Sequence, residues 1–286
     1  DLGGVTGFRV ENCQIGTPER PVRRDALAPW GGASVANSFS ILNNEMYCGT
    51  RGVATIYLTN SEIIGNTIHV LPTSAGATDT YNHGIYITGH VGNLNIEGNV
   101  INCLEKTLNA SAYLIGIAFA GNGAEPTDII SVVNNMINIG AADETRYTYG
   151  IGFRSAQNMG NIKAYYNTIV VNNNASTLVS HAIGYHTNGT GPVNVDLKNN
   201  IIINKHTGNT GSSAIALVPA TTVLTSNYNV LKSEQNLVNY QGTSYADLPA
   251  WQVTTQDANS VSKPVFFVSG TDLHLVGSSS GDIDLA

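Results

Sequence analysis

Short stretches of alternating apolar and polar residues, each ending in an asparagine, recur along the chain. In every copy the asparagine is followed by one further residue and then by an apolar side chain. Residues 62–68 read Glu-Ile-Ile-Gly-Asn-Thr-Ile, and residues 196–202 read Asp-Leu-Lys-Asn-Asn-Ile-Ile. An alternation of period two predicts a β-strand with one buried face. The asparagines of the successive copies are Asn44, Asn66, Asn99, Asn135, Asn167, Asn200 and Asn229.

The spacing of these asparagines varies while the motif itself is retained. The steps between them are 22, 33, 36, 32, 33 and 29 residues. Variable steps indicate fixed strands joined by loops of different length, which a β-solenoid accepts because its loops protrude from one corner. We therefore predict an all-β chain that forms a right-handed parallel β-helix of about seven or eight coils.

A second strand motif precedes the asparagine motif within each coil. It carries a glycine or an alanine followed by alternating apolar residues, as in His-Gly-Ile-Tyr-Ile at 83–87 and His-Ala-Ile-Gly-Tyr at 181–185. A small residue suits a tight corner or a close approach between backbones. The motif therefore predicts a further strand in each coil, next to a tight corner.

Stacking the coils places equivalent residues in columns along the solenoid axis. Two aliphatic columns should point inward, one three residues before the asparagine and one two residues after it. The asparagines should occupy a turn, where Asn tolerates the left-handed conformation, and their amides can hydrogen-bond from coil to coil. The first aliphatic column is Ile41, Ile63, Ile96, Val132, Ala164 and Leu197, and the second is Met46, Ile68, Ile101, Ile137, Ile169, Ile202 and Leu231.

The columns also predict the state of two cysteines. Cys48 and Cys103 share a column but belong to coils that are two steps apart, at about 9.6 Å. A disulfide requires Cα atoms within about 7 Å of each other. We expect both thiols to be free, buried and to act as small apolar side chains.

The repeat pattern stops after Leu231. We predict that residues 1–231 form the parallel β-helix and that residues 232–286 form a C-terminal capping segment of the same domain. A solenoid needs terminal units that cover its core, and a cap also hides the edge of the last coil from strand addition. The aromatic residues of this segment, Trp251 among them, suit that role.

The coils over about residues 5–231 resemble the right-handed parallel β-helix repeats of the pectate-lyase-like superfamily. The tail carries Ser-Asn-Tyr-Asn-Val at 226–230, Trp251, Gln-Asp-Ala-Asn-Ser at 256–260 and Thr-Asp-Leu-His-Leu at 271–275. These features are similar to the end of β-helix segments in very large Bacteroidota surface proteins. The resemblance implies export by the type IX secretion route, a place within a larger protein, and an adhesive or scaffolding role. A fold by itself does not determine an activity.

The composition favours an extracellular location. Charged residues make up 12% of the chain, against about 25% in an average soluble domain. Such a surface relies on neutral hydrogen bonds, which suits a secreted or cell-surface protein with glycans or other surface proteins as partners. The 20 acidic and 13 basic residues form no basic stripe, which argues against nucleic acid as a partner. No apolar run reaches the roughly 18 residues that span a membrane.

The column alignment brings several polar residues together as candidates for ligand binding. A cationic and aromatic face can bind acidic sugars, while ordinary cross-strand pairing is the plain alternative, at about 0.2–1 kcal/mol per pair. The candidate pairs are Arg154 with His186, Lys163 with Asp196, and Tyr165 with Lys198. A sugar-stacking platform is a further hypothesis, and its candidate residues are Tyr147, Tyr149, Tyr165, Tyr166 and Tyr185.

Motifs for catalysis are weak. A calcium-dependent lyase needs several converging carboxylates and a Lys or Arg base, and a hydrolase needs paired carboxylates at a fixed separation. The sequence contains no Asp-Asp pair and no Asn-Thr-Asp motif. We therefore assign no catalytic residue, no metal ligand and no cofactor, and calcium lacks a clear motif.

The favoured function is a non-catalytic β-helix module with an adhesive, scaffolding or glycan-contacting role. The alternative is a polysaccharide lyase or glycoside hydrolase that acts on an acidic polysaccharide. A third hypothesis is a phage or capsule-binding spike, which requires trimers. The oligomeric state does not follow from the sequence.

Overall fold

The computed structural model of the chain is built almost entirely from β-strands, which confirms the all-β prediction. Its only α-helix among the described residues is α1 (Leu248–Gln252), and a single 3₁₀ turn spans Gly277–Ser279. The structure describes residues 7–29, 38–56, 59–74, 76, 81–89, 91–106, 113–121, 127–154, 159–172, 176–186, 189–191 and 193–285.

Three parallel β-sheets, named A, B and C, run along the solenoid, and each coil contributes one strand to each sheet. Sheet A contains β1 (Phe8–Glu11), β4 (Phe39–Leu42), β7 (Thr59–Ile64), β10 (Val91–Glu97), β13 (Ile129–Val133), β16 (Asn161–Tyr165), β19 (Asn194–Lys198) and β22 (Val223–Asn227). Sheet B contains β2 (Gln14–Ile15), β5 (Glu45–Cys48), β8 (Thr67–Val70), β11 (Val100–Cys103), β14 (Met136–Ile139), β17 (Thr168–Val171), β20 (Ile201–Asn204) and β23 (Val230–Ser233). Sheet C contains β3 (Asp25–Leu27), β6 (Arg51–Ile56), β9 (Tyr81–Thr88), β12 (Tyr113–Phe119), β15 (Tyr147–Phe153), β18 (Ser180–Tyr185), β21 (Ser213–Leu217), β24 (Asn236–Tyr240) and, antiparallel at its end, β25 (Thr243–Tyr245).

The solenoid has about six turns, which corrects the prediction of seven or eight. Sheets A and B nevertheless contain eight strands each, because a segment at either end of the solenoid adds a strand that is stacked on one side only. Counting sequence motifs overestimates the number of turns, because the copies at either end supply these terminal strands and not complete turns. The strand at the start of sheet B, β2, has only two residues.

The predicted asparagine ladder is present. Every ladder asparagine is at most 2% exposed. Asn135 shows the pattern: its Nδ2 donates to Oδ1 of Asn167 at 3.0 Å and to the carbonyl of Ile96 at 2.9 Å. Its Oδ1 accepts the backbone N–H of Asn99 at 3.0 Å. Each amide therefore joins its own coil to the coils before and after it.

The left-handed backbone position lies one residue before the ladder asparagine, so its predicted placement on the asparagine itself was wrong. None of the ladder asparagines has a positive φ. The preceding residue turns the chain, and the asparagine returns to a negative φ with its amide directed inward. The left-handed corner residues are Asn12, Asn43, Gly65, Gly98, Asn134, Tyr166, Asn199 and Tyr228.

Both aliphatic columns point inward, as predicted. Ile96 pairs with Ile63 on one side and with Val132 on the other, and all three side chains are at most 1% exposed. Cys48 and Cys103 belong to the same core cluster and are free and buried, which confirms the prediction for both thiols.

The small residue of the second motif stands where two coils approach closely. A Cβ atom on Gly116 would lie 2.4 Å from Cγ2 of Ile137 and 2.6 Å from the carbonyl oxygen of Gly150. Both distances are shorter than van der Waals contact. The close backbone approach predicted from the motif is therefore present.

The end of the core is covered by a helix and a loop. Parallel pairing continues past the predicted boundary at residue 231, because β24 pairs with β21. Trp251 of α1 then lies fully buried against the core, with Tyr240 and Tyr245 edge-on to its ring.

The loop after α1 also terminates the asparagine ladder. The amide of Asn229 donates to Oδ1 of Asp257 at 3.1 Å, and its backbone N–H donates to Oγ of Ser260 at 2.8 Å. Oδ2 of Asp257 accepts the indole N–H of Trp251 at 2.7 Å. A buried carboxylate and a hydroxyl therefore replace the next asparagine.

The last residues of the chain pack on the outer face of sheet B. Phe267, Leu273 and Leu275 form a second apolar cluster with Ile201 and Ile203. This packing explains the run of three isoleucines at 201–203, since a strand that is covered on both faces loses its alternation. The tail therefore covers a face of the solenoid in addition to its predicted role as an end cap.

No helix among the described residues has the length and hydropathy needed to cross a membrane.

Candidate functional site

The candidate ligand-binding residues lie on two separate faces of the solenoid. Lys163 pairs with Asp196, and Tyr165 with Lys198, between β16 and β19 of sheet A. Arg154 and His186 instead follow the paired residues Phe153 and Tyr185 at the ends of β15 and β18 in sheet C. The neighbours in each pair agree with the column alignment, but the six residues do not form one site.

The sheet C pair lies within a group of aromatic rings. The guanidinium carbon of Arg154 lies 4.5 Å from the ring centre of Tyr81 and 5.1 Å from that of Tyr113. The ring of His186 meets Tyr113 edge-on at 4.1 Å. Within the described part of the chain, no carboxylate forms an ion pair with Arg154. This charge is therefore stabilised by the faces of the two rings.

Burial keeps the histidines of this face neutral. His186 is 1% exposed, and burial followed by repulsion from Arg154 lowers its pKa to about 4. The same two causes, in the same order, lower the pKa of His83 well below its usual value. Both ring nitrogens of His83 are buried without a hydrogen-bond partner among the described residues. His181 differs, because its Nδ1 accepts the backbone N–H of Ser213 at 3.2 Å.

The sheet A pairs lie on an exposed face. Along β19 the residues alternate between exposed or half-buried and fully buried, so Asp196 and Lys198 point outward while Leu197 points into the core. A shallow groove of about 330 Å³ crosses this face and is lined by Lys163 and Asp196. Its remainder is lined by amide and hydroxyl side chains, among them Asn161, Asn194 and Thr225, and by the aliphatic residues Ile129, Ile162, Val195 and Val223.

The carboxylate of Asp196 is the polar centre of this face. Its Oδ2 accepts the phenol of Tyr165 at 2.5 Å and the ammonium of Lys198 at 3.2 Å. Burial, followed by the hydrogen bond to Asp196, raises the pKa of Tyr165 to about 12. Lys163 forms no ion pair among the described residues, although it stands opposite Asp196 in the register of β16 and β19.

The predicted tyrosine platform is not assembled in one place. Tyr147 and Tyr149 belong to sheet C, and Tyr185 points into the core, where its phenol donates to the carbonyl of Gly191. Tyr165 and Tyr166 lie on sheet A and at the following corner. The platform prediction is therefore wrong as a single surface.

Several aromatic residues escaped the sequence analysis although their positions carried a signal. Tyr81 and Tyr113 stand three residues before the small residue of the second motif, as Tyr147 of the predicted platform does, and these rings stack along the column. Tyr228 stands directly before a ladder asparagine, as Tyr166 does. Reading every column around the motif, and not only the apolar ones, would have grouped these rings.

Among the described residues, no group of three His, Cys, Asp or Glu side chains lies close enough to hold a metal ion. Comparisons with protein-family models, with curated proteins and with solved structures give no significant match.

Proposed function

We propose that the chain is a non-catalytic, glycan-contacting β-helix module of a secreted or cell-surface protein, with acidic polysaccharides as its ligands. The observation that carries this proposal is the outer face of sheet A. There the ammonium of Lys163, which has no ion-pair partner among the described residues, borders an open groove that also holds the carboxylate of Asp196 and several amides and hydroxyls. An ammonium attracts sugar carboxylates, and amides and hydroxyls exchange hydrogen bonds with sugar hydroxyls.

The chemistry of this face favours binding over catalysis. A general base works best with a pKa near the working pH, whereas the pKa of Tyr165 is raised to about 12. The carboxylate of Asp196 already accepts hydrogen bonds from the phenol of Tyr165 and the ammonium of Lys198.

We include in the proposal the pectate-lyase-like ancestry and the origin in a Bacteroidota surface protein exported by the type IX route. The parallel coils and the tail motifs support both.

The test is a glycan array that includes polygalacturonate, alginate and neutral glucans, followed by titration of the best binder. We expect acidic glycans to bind and Lys163→Gln to weaken them roughly tenfold. Lys106→Gln is the matched control, because Lys106 is an exposed lysine that pairs with Asp143 elsewhere. Unsaturated sugar products in the same mixtures would indicate a polysaccharide lyase instead. Failure of every glycan to bind would exclude the proposal.

A further inference from the structure

Two tyrosines occupy backbone positions that ordinarily suit glycine or asparagine. Tyr166 has a φ of 57° and Tyr228 a φ of 59°. The other described residues of this corner column are asparagines and glycines. A bulky side chain in the left-handed region is strained. A tyrosine at these two corners therefore imposes backbone strain that a glycine would avoid.

Both tyrosines are also more exposed to solvent than buried. Tyr166 is 58% exposed and Tyr228 is 56% exposed. An exposed aromatic ring on a strained backbone points to a role outside folding, because strain persists where function requires it. Tyr166 and Tyr228 are separated by one coil, that of Asn199, so they stand two coil steps apart.

The backbone spacing of the two tyrosines is similar to the repeat of an extended sugar chain. Two steps between paired strands amount to about 9.6 Å, which is about the length of one disaccharide unit of an extended polysaccharide. The faces of pyranose rings stack on aromatic rings through their C–H groups, so two rings at this distance can hold alternate sugars of one chain. The intervening corner carries a small polar side chain and leaves room for the sugar between them.

Polar groups flank the line between the two tyrosines. On one side lies the sheet A face, with Lys198 directly before the corner residue Asn199. On the other side a cleft of about 140 Å³ opens beside Tyr228, and Asn199 and Asn259 line it together with Asp284, whose carboxylate pairs with Lys263. These groups can bind the hydroxyls and carboxylates of a sugar chain whose rings stack on the corner.

We propose that Tyr166 and Tyr228 form a stacking ridge that binds one extended acidic polysaccharide parallel to the solenoid axis, with alternate sugars on the two rings. This inference rests on the proposed glycan-contacting function and adds the residues, the direction of the chain and its minimum length. A monosaccharide or disaccharide reaches one ring only, whereas a trisaccharide already reaches both.

The test uses galacturonate and mannuronate oligomers of one to six sugars with the whole chain. We expect affinity to rise steeply between the disaccharide and the tetrasaccharide. Tyr166→Asn and Tyr228→Asn should each weaken the hexamer roughly tenfold. The same substitutions should raise the melting temperature by roughly 2 °C, because asparagine tolerates the left-handed corner. A gain in stability together with a loss of binding is an outcome that a merely structural tyrosine would not give.

Asn43→Gly is the matched control, because Asn43 has the same left-handed backbone conformation as the two tyrosines but lies in a distant coil. This substitution should leave the affinity for the hexamer unchanged. Hexamer binding that persists in the double variant Tyr166→Asn/Tyr228→Asn overturns the ridge while the glycan-contacting function stands. A chain that binds none of these oligomers overturns both.

Discussion

The asparagine ladder should be the most costly polar feature to disturb, and Asn135 is the residue at which to test this. In Asn135→Ala, the amide no longer donates to the carbonyls of Ile96 and Val133 or to Oδ1 of Asn167. The backbone N–H and the side-chain amide of Asn99 also lose their shared acceptor, Oδ1 of Asn135. All of these groups are buried or partly buried, so water cannot replace the lost partner without entering the solenoid.

The expected loss follows from the number of bonds. A hydrogen bond contributes a net of about 1 kcal/mol, and a buried group left without a partner costs about 1–3 kcal/mol. We therefore expect Asn135→Ala to lower the free energy of unfolding by about 3–5 kcal/mol. Guanidinium denaturation followed by far-ultraviolet circular dichroism measures this loss as a shift of the transition midpoint.

Asn95→Ala is the matched control, because Asn95 lies on the exposed face of sheet A and donates only to the carboxylate of Glu97. Its cost should stay within about 0.5 kcal/mol. The double variant Asn135→Ala/Asn167→Ala should cost less than the sum of the two single variants, since both remove one shared bond. An Asn135→Ala variant as stable as Asn95→Ala would refute the view that the ladder stabilises the stack.

Three further predictions concern the cap, the pH and the glycine corner. Asp257→Ala removes the acceptor of the Trp251 indole, so we expect the free energy of unfolding to fall by about 2–4 kcal/mol. The denaturation midpoint measures this loss, and faster protease cleavage at the C-terminal end is a second readout. Unchanged cleavage would contradict the prediction. Burial lowers the pKa values of His181 and His186 to about 4. Below pH 6.5 the folded chain therefore binds fewer protons than the unfolded chain. The free energy of unfolding is highest above that pH and decreases as the pH falls towards 4, by up to about 3 kcal/mol per histidine. Melting temperatures should show this decline, and it should be weaker in His186→Gln than in the wild type. Gly150→Ala places a Cβ 2.5 Å from the carbonyl oxygen of Ala182 and should lower the midpoint, whereas an unchanged midpoint would show that the coils can separate there.

The inner columns were predictable because a solenoid repeats one environment many times. Ile63, Ile96 and Val132 could be aligned from the asparagine alone, since each occupies the same position of its coil. The left-handed corner was misplaced by one residue for a physical reason. Asparagine is common both in left-handed turns and in amide ladders. In an Asn-Asn pair such as Asn134-Asn135, one residue has each role, and the sequence does not show which residue has which.

The outer faces were harder to predict because their partners lie far away in the sequence. The tail covers Ile201 and Ile203 from residues beyond 260, and no motif links those two segments. Arg154 lies over Tyr81 and Tyr113, which come from two different coils. The column alignment found Arg154 and His186 as neighbours but not the rings beneath them. The cluster combines the buried imidazole of His186 with the partly exposed ring of Tyr81.

The burial patterns of the three sheets restrict where a polymer can bind. The residues of β20 in sheet B are buried on both faces, because the tail covers the outer one. Most of β12 in sheet C is also buried on both faces. Among the described strands, only those of sheet A alternate between buried and solvent-exposed residues as far as the last strand, β22. An extended ligand that needs several adjacent coils therefore has one long half-exposed face available, bordered by the corner that carries Tyr166 and Tyr228. Substitutions on the outer face of sheet A should then change binding with little effect on stability, whereas substitutions on the outer faces of sheets B and C should change stability first.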